Sequence, residues 1–166
     1  MKLQDIPFIA RTRQNHGLEH ATIHVLSQQN PALRVVGRTT PNGFYLYGNL
    51  TTKKVRSAVE QALSRLQQGE AHLAVHANCG TNLVTAGFLA GLFSFVALLP
   101  RSRRRLDQLP LAVMAATLAV VAAQPLGRVV QANVTTTSHV RNLLIKRITR
   151  RQQNRLIVHH IETAAY

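Results

Sequence analysis

TNLVTAGFLAGLFSFVALL, residues Thr81–Leu99, and LPLAVMAATLAVVAAQPLG, residues Leu109–Gly127, decide the fold. Each is a run of 19 residues with no charged side chain. As helices at about 1.5 Å per residue, each would reach roughly 28 Å, close to the roughly 30 Å hydrocarbon thickness of a bilayer. One such run can be the buried helix of a soluble domain. Two back to back, parted by Arg101–Gln108 with its four arginines, fit a transmembrane hairpin better. Small residues recur every four positions, at Gly87/Gly91, Ala112/Ala116 and Ala115/Ala119/Ala123, a spacing that permits close helix approach. No ionisable residue lies within either run, so a channel or proton path through the hairpin is not expected.

Upstream, Arg13–Gln29 reads as a helix ended by Asn30-Pro31. Ala32–Arg38 and Phe44–Tyr47 read as strands joined by the turn Pro41-Asn42-Gly43. Lys53–Gln68 reads as a helix capped by Thr51 or Thr52, with Val55, Val59, Ala62, Leu63 and Leu66 on one face and Gly69 at its end. Ala71–Val75 reads as a third strand. Downstream, a polar stretch, Gln131–Ser138, precedes a hairpin of Leu143–Arg150 and Arg155–Thr163, turning at Arg151–Asn154, although its apolar alternation is imperfect. The expected class is α+β: a small α-β-β-α-β domain plus a C-terminal β-hairpin, interrupted by a two-helix transmembrane hairpin. Residues 1–80 and 132–166 would form one discontinuous metal-binding domain and 81–131 the membrane insertion. The last two strands would complete the sheet begun by the first three.

The formal net charge is +14. Nine Lys/Arg against four acids lie in residues 1–80, four against Asp107 in the loop, and seven against Glu162 in residues 128–166. Along the chain no basic stripe interleaves with aromatic residues, so no nucleic-acid partner is expected. The cations suit anionic lipid headgroups instead. Met1–Phe8 lacks the apolar core and cleavage motif of a signal peptide. Cys79 is the single cysteine, which excludes an intrachain disulfide and suits a reducing compartment or a metal site. The loop arginines favour a cytoplasmic loop. Sixteen of the twenty Lys/Arg on the terminal side, the free thiol and the missing signal favour cytoplasmic termini, and that is the expectation for a multi-pass cell-membrane protein.

Eight histidines are many for this length, and they cluster. In His16-Gly-Leu-Glu19-His20-Ala-Thr-Ile-His24 the histidines fall four apart, making one stripe on a helix, with Glu19 one turn from His16. Two imidazoles one turn apart can hold one ion, and the carboxylate can serve as ligand or base. His76-Ala-Asn-Cys79-Gly80-Thr81 adds an imidazole and a thiol at plausible ligand spacing, with Gly80 permitting a tight turn. His16, His20, His24, His76 and Cys79 are the candidate metal ligands, and Glu19 the candidate catalytic base. The spacing H-x-x-E-H is also that of inverted zinc peptidases. Those need a further downstream glutamate, and only Glu60, Glu70 and Glu162 follow here, so that protease chemistry is not expected.

These two strings resemble the paired HGAEHK-x-IH and HPRCGT motifs of an uncharacterised bacterial membrane-protein family described as predicted metal-dependent enzymes. In that family, too, the second motif runs into a transmembrane helix. Leu18 and Ala21 stand where it has Ala and Lys, and Ala77 and Asn78 where it has Pro and Arg. None of these is a candidate ligand, but two cationic side chains are lost. The resemblance implies a metal site and no established reaction. Three functions are therefore expected: a zinc-dependent hydrolase acting on a lipid or membrane protein, a non-catalytic metal-stabilised scaffold or sensor, and a di-iron oxidase built on His72/His76 and His159-His160.

Overall fold

The computed structural model describes residues 6–99, 105–153 and 156–165. The chain divides into two compact units, Met1–His76 with Ala132–Tyr166, and Ala77–Gln131.

In the first unit, α1 (Pro7–Gln29) starts six residues earlier than the periodicity suggests, because Pro7 at the first helical position presets the backbone angle a helix needs. It ends at Asn30 as expected. Strands β1 (Val36–Thr40) and β2 (Gly43–Tyr47) form a hairpin, with Gly43 at φ +140 beside the backbone of Ile161 and Glu162. Thr51 caps α2 (Thr52–Gln67) through Lys54 N. The expected strand over Ala71–Val75 is instead a 3₁₀ turn, Ala71–Ala74. Its alternating Leu73 and Val75 resemble a strand, but Leu73 and Ala74 are both buried, which one strand face does not allow.

The C-terminal hairpin forms as expected, as β3 (Leu143–Gln153) and β4 (Leu156–Ala165). A bulge between Ile145 and Arg147 breaks the alternation there. Arg151, Gln152 and Gln153, expected in the turn, extend β3 instead, and residues 154–155, the last of the expected turn and the first of the expected second strand, lie outside the described residues. The four strands make one antiparallel sheet in the order β1-β2-β4-β3, so the final hairpin completes a sheet begun by two strands rather than three. Phe44, Leu46, Ile148 and Ile161 on its inner face pack with Leu18, Val25 and Leu26 of α1 and Val55, Val59 and Leu66 of α2. Each fully buried side chain of this size contributes about 1.5–3 kcal/mol. Asn15, fully buried, donates to the carbonyls of Thr40 and Pro41 and accepts from Thr163 Oγ1 at 2.6 Å, tying α1 to both hairpins.

The second unit holds two helices, α3 (Gly80–Ala97) and α4 (Leu109–Val130), and both are long and apolar enough to cross a membrane. They leave Leu83, Val84, Phe88, Val113, Leu118 and Val121 exposed, each by 64% or more. Of the small residues, Ala112, Ala119, Ala123 and Gly127 of α4 are the buried ones. Ser94 Oγ reaches the Ala112 carbonyl at 3.3 Å, and Asn82 fills the space a side chain at Gly127 would need. A Cβ at Gly87 or Gly91 would meet open space, so that pair is not the seam within this hairpin. Gly80 likewise forms no tight turn but begins α3 with open space around it. Gln131 Nε2 donates to Asn82 Oδ1 at 2.5 Å, pinning the two helices together at their polar end. Arg101–Arg104, on which the expected loop orientation mostly rests, lie outside the described residues.

Candidate metal centre

The four-residue spacing along α1 sets His16, His20 and His24 on one stripe, and the 3₁₀ turn brings His76 to it. The ring centroids of His16 and His20 lie 4.4 Å apart, those of His20 and His76 5.8 Å, and those of His24 and His76 4.9 Å. His20 is buried, and His16, His24 and His76 are half-buried.

Each of the three helix histidines meets a main-chain carbonyl. His20 Nδ1 lies 2.8 Å from the Ala74 oxygen, His24 Nε2 2.9 Å from the Val75 oxygen, and His16 Nδ1 3.0 Å from the Thr135 oxygen. A carbonyl only accepts, so these ring nitrogens carry the proton. In the neutral ring the basic nitrogen is then Nε2 of His16 and His20 and Nδ1 of His24. Metal-binding histidines are oriented by this kind of N–H contact on the far side of the ring. The segment around the 3₁₀ turn is therefore part of the site, since Ala74 and Val75 supply two of the three acceptors.

The third acceptor lies in a stretch that reads only as polar in sequence. Residues Gln131–Thr135 form a π-turn, and the chain then crosses α1. Arg13 donates to the carbonyls of Asn133 and Thr136, and Thr137 N donates to Arg13 O at 3.2 Å. Gly17 makes this crossing possible, because a Cβ there would overlap the Thr137 carbonyl. Long-range contacts of this kind leave no local signal, although a glycine inside a helical motif hints at a close approach.

Glu19 faces the sheet. Its carboxylate accepts from the Thr39 hydroxyl and packs on Gly37, both on β1. Burial pushes its pKa up, opposed by the Thr39 bond and the nearby His16. Cys79 belongs to the helical unit, where it caps α3, its Sγ accepting from Thr81 N at 3.4 Å. His72 is exposed. His159 points into the core toward Thr52, while its neighbour His160 stacks on Tyr45 on the opposite face. That removes the reason for reading the pair as a di-iron ligand box. Of the downstream glutamates, Glu60 pairs with Arg56, Glu70 with Arg65 and Glu162 with His160.

Burial, with His24 and His20 nearby, lowers the His76 pKa from 6.5 to about 4. Its folded-state preference for the neutral ring contributes fully above pH 6.5 and is lost as pH falls through that window. Melting of the metal-free protein is expected to show a His76→Gln variant gaining on wild type by about 1–2 kcal/mol between pH 7 and 4, less than the full shift because the ring is half-exposed. A constant difference across that range would count against a neutral, packed His76.

The family described as a domain of unknown function (DUF6391) matches residues 11–148. The chain belongs to the DUF6391 family. The matched span contains all six candidate site residues and both long apolar helices, and stops before β4. An uncharacterized protein of Picosynechococcus sp. is 37% identical over 145 residues, covering 81% of this chain and 68% of that protein. No solved structure matches. The description of DUF6391 assigns no activity, so any chemistry must be argued from the residues themselves.

Proposed function

We propose that this DUF6391 protein is a membrane-anchored metal-binding protein. The observation that carries this reading is the set of three main-chain contacts that fix the basic nitrogens of His16, His20 and His24 beside His76. His16 and His20 would hold the ion with His76 or Cys79, and His24 would orient the cluster or add a ligand. Cys79 follows His76 by three residues, no more than about 11 Å of chain. Imidazole and thiolate donors suit zinc. The exposed apolar surfaces of α3 and α4 support insertion in the cell membrane, and the sixteen Lys/Arg on the terminal side would set the sheet domain on the cytoplasmic side.

The finer reading is a hydrolase acting on a lipid or membrane-protein substrate. A bound divalent ion would supply Lewis-acid activation. Glu19, its carboxyl pKa raised by burial, would act as the general base. The Thr39 hydroxyl bound to that carboxylate favours a second reading, a closed scaffold or sensor site in which Glu19 is structural. Glu19→Gln tests both. The variant is expected to keep its metal, and under the hydrolase reading to lose wild-type turnover of simple ester and phosphodiester substrates by at least about a hundredfold. A metal-loaded wild type that turns over none of them would leave the scaffold reading. Loss of metal from Glu19→Gln would make Glu19 a ligand.

A further inference from the structure

The outer face of the sheet has a composition the linear sequence hides. Strand register lines up three rows across it: Val36-Tyr47-Val158-Arg151, Arg38-Tyr45-His160-Thr149 and Thr40-Gly43-Glu162-Arg147. The aromatic rings therefore sit on the two central strands and the arginines on the two edge strands. Tyr45 and His160 are stacked, with centroids 4.3 Å apart and planes 10° from parallel, and Tyr47 lies 6.4 Å from Tyr45. Arg38, Arg147 and Arg151 are exposed. The carboxylate on this face, Glu162, lies 3.7 Å from His160. The chain in linear order has no basic–aromatic interleave, and strand pairing creates one between residues more than a hundred positions apart.

We propose that this face binds a single-stranded nucleic acid, with bases on the Tyr45–Tyr47–His160 lane and phosphates on Arg38, Arg147 and Arg151. Stacking rings flanked by cations form the platform on which unpaired bases are held, because every base offers a π-face and every linkage a charge. At about 4.8 Å per strand the rows are roughly 14 Å wide, enough to place phosphates on either side of a stacked base. An anionic bilayer would satisfy the arginines but offers the ring lane nothing to stack on. The proposal does not depend on the metal site.

The test uses full-length protein in detergent and a fluorescent oligouridylate of about 12 nucleotides. The chain has three tyrosines and no tryptophan, and two of the tyrosines lie on this face. Saturation with unlabelled oligonucleotide is therefore expected to quench most of the intrinsic tyrosine emission of the wild type. Tyr45→Ala with Tyr47→Ala is expected to weaken binding at least tenfold without changing net charge, and the matching phenylalanine pair to restore it. Replacing Arg38, Arg147 and Arg151 by alanine should flatten the salt dependence. Binding without tyrosine quenching, or with affinity unchanged in a folded alanine pair, would reduce it to non-specific attraction by a basic chain and overturn the proposal. So would no binding at low salt, or vesicles of anionic lipid whose binding falls with the same tyrosine changes.

Discussion

Replacing His20 with alanine is expected to lower metal affinity by roughly a hundredfold or more, leaving the purified protein without its ion. His20 is the most buried of the cluster, 2% exposed, and its ring lies against those of both His16 and His76. Its Nδ1–H contact with Ala74 O fixes which nitrogen faces the cluster. Removing the ring deletes the central donor and leaves that buried carbonyl without its partner, a stability cost of about 1–3 kcal/mol. His24→Ala gives the comparison. If His24 only orients the cluster, metal affinity falls about ten- to a hundredfold. Elemental analysis of both variants beside wild type reads the result, with circular dichroism to confirm folding. Undiminished metal in folded His20→Ala would remove His20 from the site.

Gly17→Ala is expected to cost about 3 kcal/mol, the upper end for overpacking a tight site. The obstructing atom is the main-chain carbonyl of Thr137, not a side chain that can swing aside. Moving it strains the Thr137 N–Arg13 O bond and shifts Thr135, which holds His16. The variant should therefore lose metal affinity along with thermal stability, although residue 17 offers no ligand. Gly91→Ala is the control, because its Cβ would enter open space. Equal melting of Gly17→Ala and wild type would mean the crossing segment does not press on α1.

These two residues show what the sequence discloses. The stripe His16–His20–His24 follows from helical spacing alone, and the two apolar helices follow from charge-free length. β2 and α2 are equally legible, one from its turn and aromatic run, the other from its cap and apolar face. The 3₁₀ turn is not, because His72-Leu-Ala-Val75 is too short for period to distinguish turn from strand. Its role comes from tertiary contact, in offering the carbonyls of Ala74 and Val75 to α1. Thr135, Thr39 and Gly37 are illegible for the same reason, since each meets α1 across 18 or more positions of chain. The ring lane of the outer face is hidden more deeply, as Tyr45 and His160 meet only through the β2–β4 pairing.

X-ray absorption at the zinc edge of full-length protein, purified in detergent and loaded with zinc, tests the central claim most directly. A shell dominated by imidazole nitrogen at about 2.0–2.1 Å, with or without one sulfur at about 2.3 Å, is the predicted result. A protein that retains no zinc after dialysis, or holds it through water and carboxylate oxygens alone, would contradict the account.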